Sequence, residues 1–134
     1  MKSVKIEIGL GEALDRLTIL DLKIKKLSGE KQKIAEREKS KLSDALDSTG
    51  FSFNQTNVKH LTDLYEVNQR LWDIEDELRR LDKKVFAQPD TDDVTLAWME
   101  LARSVYIVND ERYRIKNLID ETFGGGTHEV KSYA

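Results

Sequence analysis

There is no cysteine in this chain, which excludes disulfides, thiol chemistry and any cysteine–zinc site. Only one proline stands in 134 residues, so long stretches are free to run as uninterrupted helix. The two histidines, His60 and His128, have no ligand-like spacing to each other or to carboxylates. Both are expected at the surface, and a Ser-His-Asp arrangement is not credible. No window approaches the ~18 apolar residues of a membrane span, and the opening MKSVKIEIGLGEALD lacks the apolar stretch of a signal peptide. The expectation is a cytoplasmic protein without membrane attachment. Aromatic residues are scarce, and the basic residues alternate with acids without an aromatic platform. Nucleic acid is therefore not an expected partner.

What the chain does have is charge and leucine. Charged residues make up 35% and hydrophobic ones 39%, a balance that suits long, solvent-lined helices better than a sheet. By size, residues 1–134 form a single domain with room for one real core. Residues 1–41 carry 11 basic against 7 acidic side chains, a net of +4, whereas residues 42–100 carry 6 against 13, a net of −7. The simplest arrangement packs the basic first segment beside the acidic middle one, or beside that of another copy.

Val4, Ile6 and Ile8 alternate with polar residues, the pattern of a short half-buried strand. Gly9 and Gly11 break it before a helix carrying Leu14, Leu17, Leu20, Ile24 and Leu27. At Ser28-Gly29 the chain either kinks or starts a second helix, capped by Ser28 and running to about Leu46 with a thin apolar stripe. Residues 48–57 form the clearest loop, and Thr56 or Asn57 is placed to cap a third helix from about Val58 to Val85. Pro89 and the acids Asp90, Asp92 and Asp93 make the next turn. A fourth helix follows from about Val94 to Phe123, ended by three glycines, and 127–133 is expected to return as a strand beside residues 4–8.

The third helix contains a conflict. Leu64, Leu71, Leu78 and Val85 form an apolar row, but the companion row starting at Leu61 continues as Asn68, Glu75 and Asp82. Polar groups on a buried stripe are costly unless they fix register or bind something. Asp21 interrupts the first helix's stripe in the same way, and Arg112 the fourth's, with Arg103, Tyr106 and Asn109 close to its edge. An antiparallel hairpin of helices three and four sets Glu75 level with Arg103 and Tyr106, and Asn68 level with Asn109 and Arg112. Interhelical acid–arginine and asparagine pairs of this kind commonly fix register. Two arginines and a carboxylate converging between helices would equally suit an anionic small molecule, since guanidinium groups bind carboxylate or phosphate bidentately.

Other motifs carry less. Asp90-Thr-Asp-Asp lacks the glycine and final glutamate of a calcium loop. Glu75, Asp76 and Glu77 cannot share one helix face, and Gly9-Leu-Gly11 lacks the third glycine and the strand–helix–strand setting of a dinucleotide loop. Trp72 and Trp98 stand at helix-packing spacing. No metal or cofactor is expected.

GEALDRLTILDLKIKKL (11–27), LYEVNQRLWDIEDELR (64–79), ELARSVYIVNDERYRIKNLI (100–119) and EVKSY (129–133) together resemble an uncharacterised bacterial and phage family. Its members share G-E-x-x-D-R-L-T-I-L, N-x-x-L-W-x-I-E-D, A-R-x-V-Y-x-x-N-D-x-R and E-x-K-S-Y motifs. The likeness covers about half the chain and carries no known reaction with it. Members often lie near glycosyltransferase genes, which implies a link to glycan or nucleotide-sugar metabolism. Carried over by position, the family's polar residues fall on Glu12, Asp15, Arg16, Thr18, Asp21, Asn68, Trp72, Glu75, Asp76, Arg103, Tyr106, Asn109, Asp110, Arg112, Lys131, Ser132 and Tyr133. Asp21 departs from the usual glutamate.

The sequence thus predicts an all-α antiparallel bundle of three long helices plus a shorter or continuous second one. A minor two-strand sheet joins the termini. Exposed apolar edge on such helices points to a homodimer. The expected polar layer or ligand site comprises Asp21, Asn68, Glu75, Arg103, Tyr106, Asn109 and Arg112. Two functions stay open: a helical binding or assembly module engaging itself or a protein partner, and a site for an anionic small molecule, catalytic or not.

Overall fold

The computed structural model describes residues 2–87 and 92–123, and the described residues form four helices and no strand. Helix α1 spans Leu10–Lys26, α2 Gly29–Ser48, α3 Gln55–Ala87 and α4 Asp92–Phe123. The fold is all-α, as the composition and periodicity require. Residues 4–8 have no regular structure, and their expected strand partner at 127–133 lies outside the described residues, as do Pro89, His128 and Lys131 to Tyr133.

Two antiparallel hairpins of unequal length make up the molecule. In the first, the Gln32 side chain donates to the Ile24 carbonyl at 2.8 Å, and Lys39 pairs with Asp21 at 2.6 Å. In the second, Arg70 of α3 meets Glu111 of α4 at 2.6 Å, and Phe86 stands edge-on to Trp98. The expectation of three long helices is corrected: α1 and α2 have 17 and 20 residues, α3 and α4 have 33 and 32. The chain reverses at Leu27 and Ser28, both in extended conformation, so the second helix is not continuous with the first.

Local chemistry explains the remaining boundaries. Asn54 accepts the Asn57 amide at 3.0 Å while Asn57 accepts the Asn54 amide at 2.6 Å, a reciprocal cap. The third helix therefore begins at Gln55, earlier than Thr56 or Asn57 as caps implied. Gly50 ends α2 at φ +80°, a left-handed conformation that favours glycine.

One core joins α1, α3 and α4, and Leu46 near the end of α2 adds to it. Leu14 and Leu17 of α1 pack with Leu64, Val67 and Leu71 of α3 and with Val108, Ile115 and Ile119 of α4. Helix α2 rests on α1 alone, and Ala35 and Leu46 are its buried residues. Of the basic first segment, α1 packs on α3 of the acidic middle one, whereas α2 does not. Lys26, at the end of α1, reaches Asp73 at 3.8 Å. Past that level α3 and α4 continue as a two-helix arm. There Leu81 and Val85 are buried on α3, and no described residue of α4 before Val108 is buried.

Candidate functional site: a buried polar layer

At the thick end of the molecule, α1 and α4 run antiparallel and place two polar rows face to face. Helix α4 contributes Arg112, Lys116 and Asp120, one turn apart, beside its apolar seam. Helix α1 contributes Glu12, Asp15 and Thr18. Asp15 is the centre, with its side chain wholly buried. Arg112 donates Nε–H to Oδ1 at 2.9 Å and Nη2–H to Oδ2 at 2.5 Å. Asn68 of α3 donates Nδ2–H to the same Oδ1 at 2.9 Å and to Thr18 Oγ1 at 2.8 Å. Thr18 in turn donates to the Asp15 carbonyl at 2.7 Å, and Lys116 Nζ stands 4.0 Å from Oδ2.

A second tier adjoins this one. Lys116 Nζ meets Glu12 Oε2 at 2.5 Å, and Arg16 Nε meets Oε1 at 2.9 Å. Burial raises the Glu12 carboxyl, but hydrogen bonds and charge from Lys116 and Arg16 outweigh it and hold the group below the usual carboxylate range. At the end of the row, Asp120 Oδ1 accepts the Gly11 amide at 2.7 Å. The residue preceding α1 is Gly9, which has no side chain to cap the helix. Asp120 supplies that cap from across the bundle and sets a carboxylate on the positive end of the helix dipole. Three acids, Glu12, Asp15 and Asp120, thus interleave with three bases, Arg16, Arg112 and Lys116.

Gly11 lets the helices come this close. A Cβ at that position would lie 2.9 Å from the Lys116 carbonyl carbon and nearer still to its oxygen. The contact is backbone against backbone, so no side chain can swing away to relieve it.

Of the residues expected to form the layer, Asn68 and Arg112 share the Asp15 carboxylate. Asp21 faces α2 and pairs with Lys39, away from them. Glu75 is exposed and lies 3.6 Å from Arg79 of its own helix, paired with neither Arg103 nor Arg112. Asn109 is half-buried, while Arg103 and Tyr106 are exposed. Nine residues separate Arg103 from Arg112, about two and a half turns at ~3.6 residues per turn, which puts them on opposite sides of α4. A pocket closed by both arginines does not form.

The resemblance had marked Glu12, Asp15 and Thr18, but nothing in the seam argument did. Lys116 and Asp120 stood in neither set, and Gly11 only as the opening residue of the G-E-x-x-D motif. The signal for the first two was the four-residue spacing from Arg112, alongside Val108, Ile115 and Ile119. His60, expected at the surface, is buried on α3.

Among the described residues no group of three histidines or acids is placed to hold a metal, and no helix is long and apolar enough to cross a membrane. A cavity of about 690 Å³ lies between α1 and the end of α2, walled by Ile6, Ile8, Leu42, Leu46, Phe51 and Phe123. Among the described residues no titratable side chain lines it. No protein-family model, curated protein or solved structure matches this chain.

Proposed function

We propose that this chain is a non-enzymatic helical binding or assembly module, acting in the cytoplasm, whose polar layer fixes the register of its helices. The observation that carries this reading is the use made of Asp15. Its buried carboxylate takes both donors of the Arg112 fork and the Asn68 amide, so the strongest anion-binding group of the layer is committed inside the fold. A general acid or base needs open space within hydrogen-bond reach of a substrate proton. The cavity beside α2 has no titratable group on its described walls. The smaller pockets beside Arg16, Lys23 and Glu38 and beside Asp21 and Tyr65 are not lined by Asp15. Asp120 capping α1 from α4 belongs to the same scheme, since it ties the start of the chain to its last described helix. If the motif resemblance extends to biology, the partner belongs to the machinery of glycan assembly.

A thermal-shift panel of nucleotide sugars, sugar phosphates, dicarboxylates and divalent metals tests the reading. The expected result is no change in melting temperature with any of them. A ligand at ~100-fold its dissociation constant adds about 2.7 kcal/mol, which moves the melting point by several degrees. A shift of that size, lost in Asn68→Ala with the fold retained, would overturn the module and establish a ligand site in the layer.

A further inference from the structure

The arm poses a question of its own. Two helices packed only on each other should both turn polar backs to water. Helix α3 does so: Glu75, Asp76, Arg79, Asp82 and Lys83 are exposed, and Phe86 is the large apolar exception. Helix α4 does not. Leu96, Met99, Tyr106 and Ile107 are 56%, 57%, 55% and 48% exposed, on the side opposite the half-buried Val94, Trp98, Leu101 and Val105. The two helices share one arm and one solvent exposure, so their difference in composition is specific to the back of α4.

Leu96, Met99, Arg103 and Tyr106 recur at the three- and four-residue spacing of a helix-packing seam. The stretch is about 16 Å long at ~1.5 Å per residue. Its charges are sparse and of both signs. Glu100 and Arg103 are exposed, and neither forms an ion pair among the described residues.

Resting on the module reading, the geometry points to the back of α4 as a homodimer interface, occupied by the same face of a second copy running antiparallel. Self-pairing about a two-fold axis between Glu100 and Arg103 is what the charge pattern fits. Each Arg103 then meets the partner copy's acid at position 100, and Leu96 lies level with the partner copy's isoleucine at position 107. A parallel or heterologous partner would leave both charges without a counterpart fixed by this chain. Exposed apolar area of several hundred Å² on one face is the scale that marks interaction sites, and it would form the apolar centre of an interface of about 800 Å² per partner.

The test uses the full chain, with sedimentation equilibrium as readout and circular dichroism to confirm the helices. The wild type is expected to be a dimer. Met99→Glu, Arg103→Glu and Glu100→Arg should each raise the dissociation constant about 100-fold or more, because like charges or a buried acid then face each other. Mixing Arg103→Glu with Glu100→Arg should restore a dimer, since each variant then supplies what the other lacks. A wild type that stays monomeric overturns the inference, as does a dimer indifferent to Met99→Glu and to both reversals. Neither of those outcomes touches the module reading, which falls only to a ligand shift in the thermal panel.

Discussion

Asp15 has no exposed side-chain surface, yet it sits among Arg112, Lys116 and Asn68. Removing one member of a buried ion pair leaves charge desolvated without its counter-ion, which is why Asp15→Ala should destabilise the protein by about 3–5 kcal/mol. Asn68→Ala removes two neutral donors and should cost about 1–3 kcal/mol. Both act on one carboxylate, so the double variant should lose less than the two losses combined, as urea unfolding curves would show. Glu12 adds a pH dependence. Its carboxyl is lowered in the folded state, so its contribution is complete above the ordinary carboxylate range and fades as pH falls through the folded value. Glu12→Gln should therefore be less stable than wild type at neutral pH, and the difference should shrink in acid; a constant gap across a pH series of melting curves would contradict this. At this scale the sequence was half legible. Asn68 and Arg112 announced themselves by interrupting apolar seams, whereas Glu75 sits on the same row as Asn68 but past the reach of α1, where polarity costs nothing. Asp15 left no interruption to notice, because it lies beside Leu14 and Leu17 on a helix whose buried arc is wide.

Among the elements, α1 is where local preference and packing oppose each other most clearly. Glycine in a helix normally loses about 0.5–1 kcal/mol to alanine, so a propensity argument predicts that Gly11→Ala stabilises. The Lys116 backbone forbids it: the added Cβ would force α1 and α4 apart and disturb the Gly11–Asp120 hydrogen bond. Gly11→Ala should accordingly destabilise by about 1–3 kcal/mol in thermal or urea unfolding, the usual cost of overpacking. Stabilisation would show that the interhelical approach is looser than the structure has it. The elements themselves were readable from periodicity, because four helices with seams of leucine and valine leave few alternatives. Their ends were less so. The reversal at Ser28 depends on which surface α2 covers, and the start of α3 depends on Asn54 and Asn57 capping each other through space.

On the scale of the whole molecule, the fold and the proposed interface occupy different ends. Every residue of the main core comes from α1, the end of α2, the first half of α3 or the second half of α4. The polar layer lies there too, with Asn68, Arg112, Lys116 and Asp120 all outside the arm. The arm's own burial is confined to the contact between its two helices, at Leu81 and Val85. Excising the arm between Glu77 and Ser104, and closing the gap with a short glycine-rich turn, should thus leave a folded bundle. Arg70 and Glu111 would still meet, and the helical signal should fall only in proportion to the residues removed. The same excision deletes Leu96, Met99 and Arg103, so the shortened chain should sediment as a monomer at concentrations where the full chain is a dimer. A shortened chain that no longer unfolds cooperatively would mean the arm is a structural necessity, with its long helices selected for stability. A folded monomer would mean that the chain spends its two longest helices on reaching a second molecule.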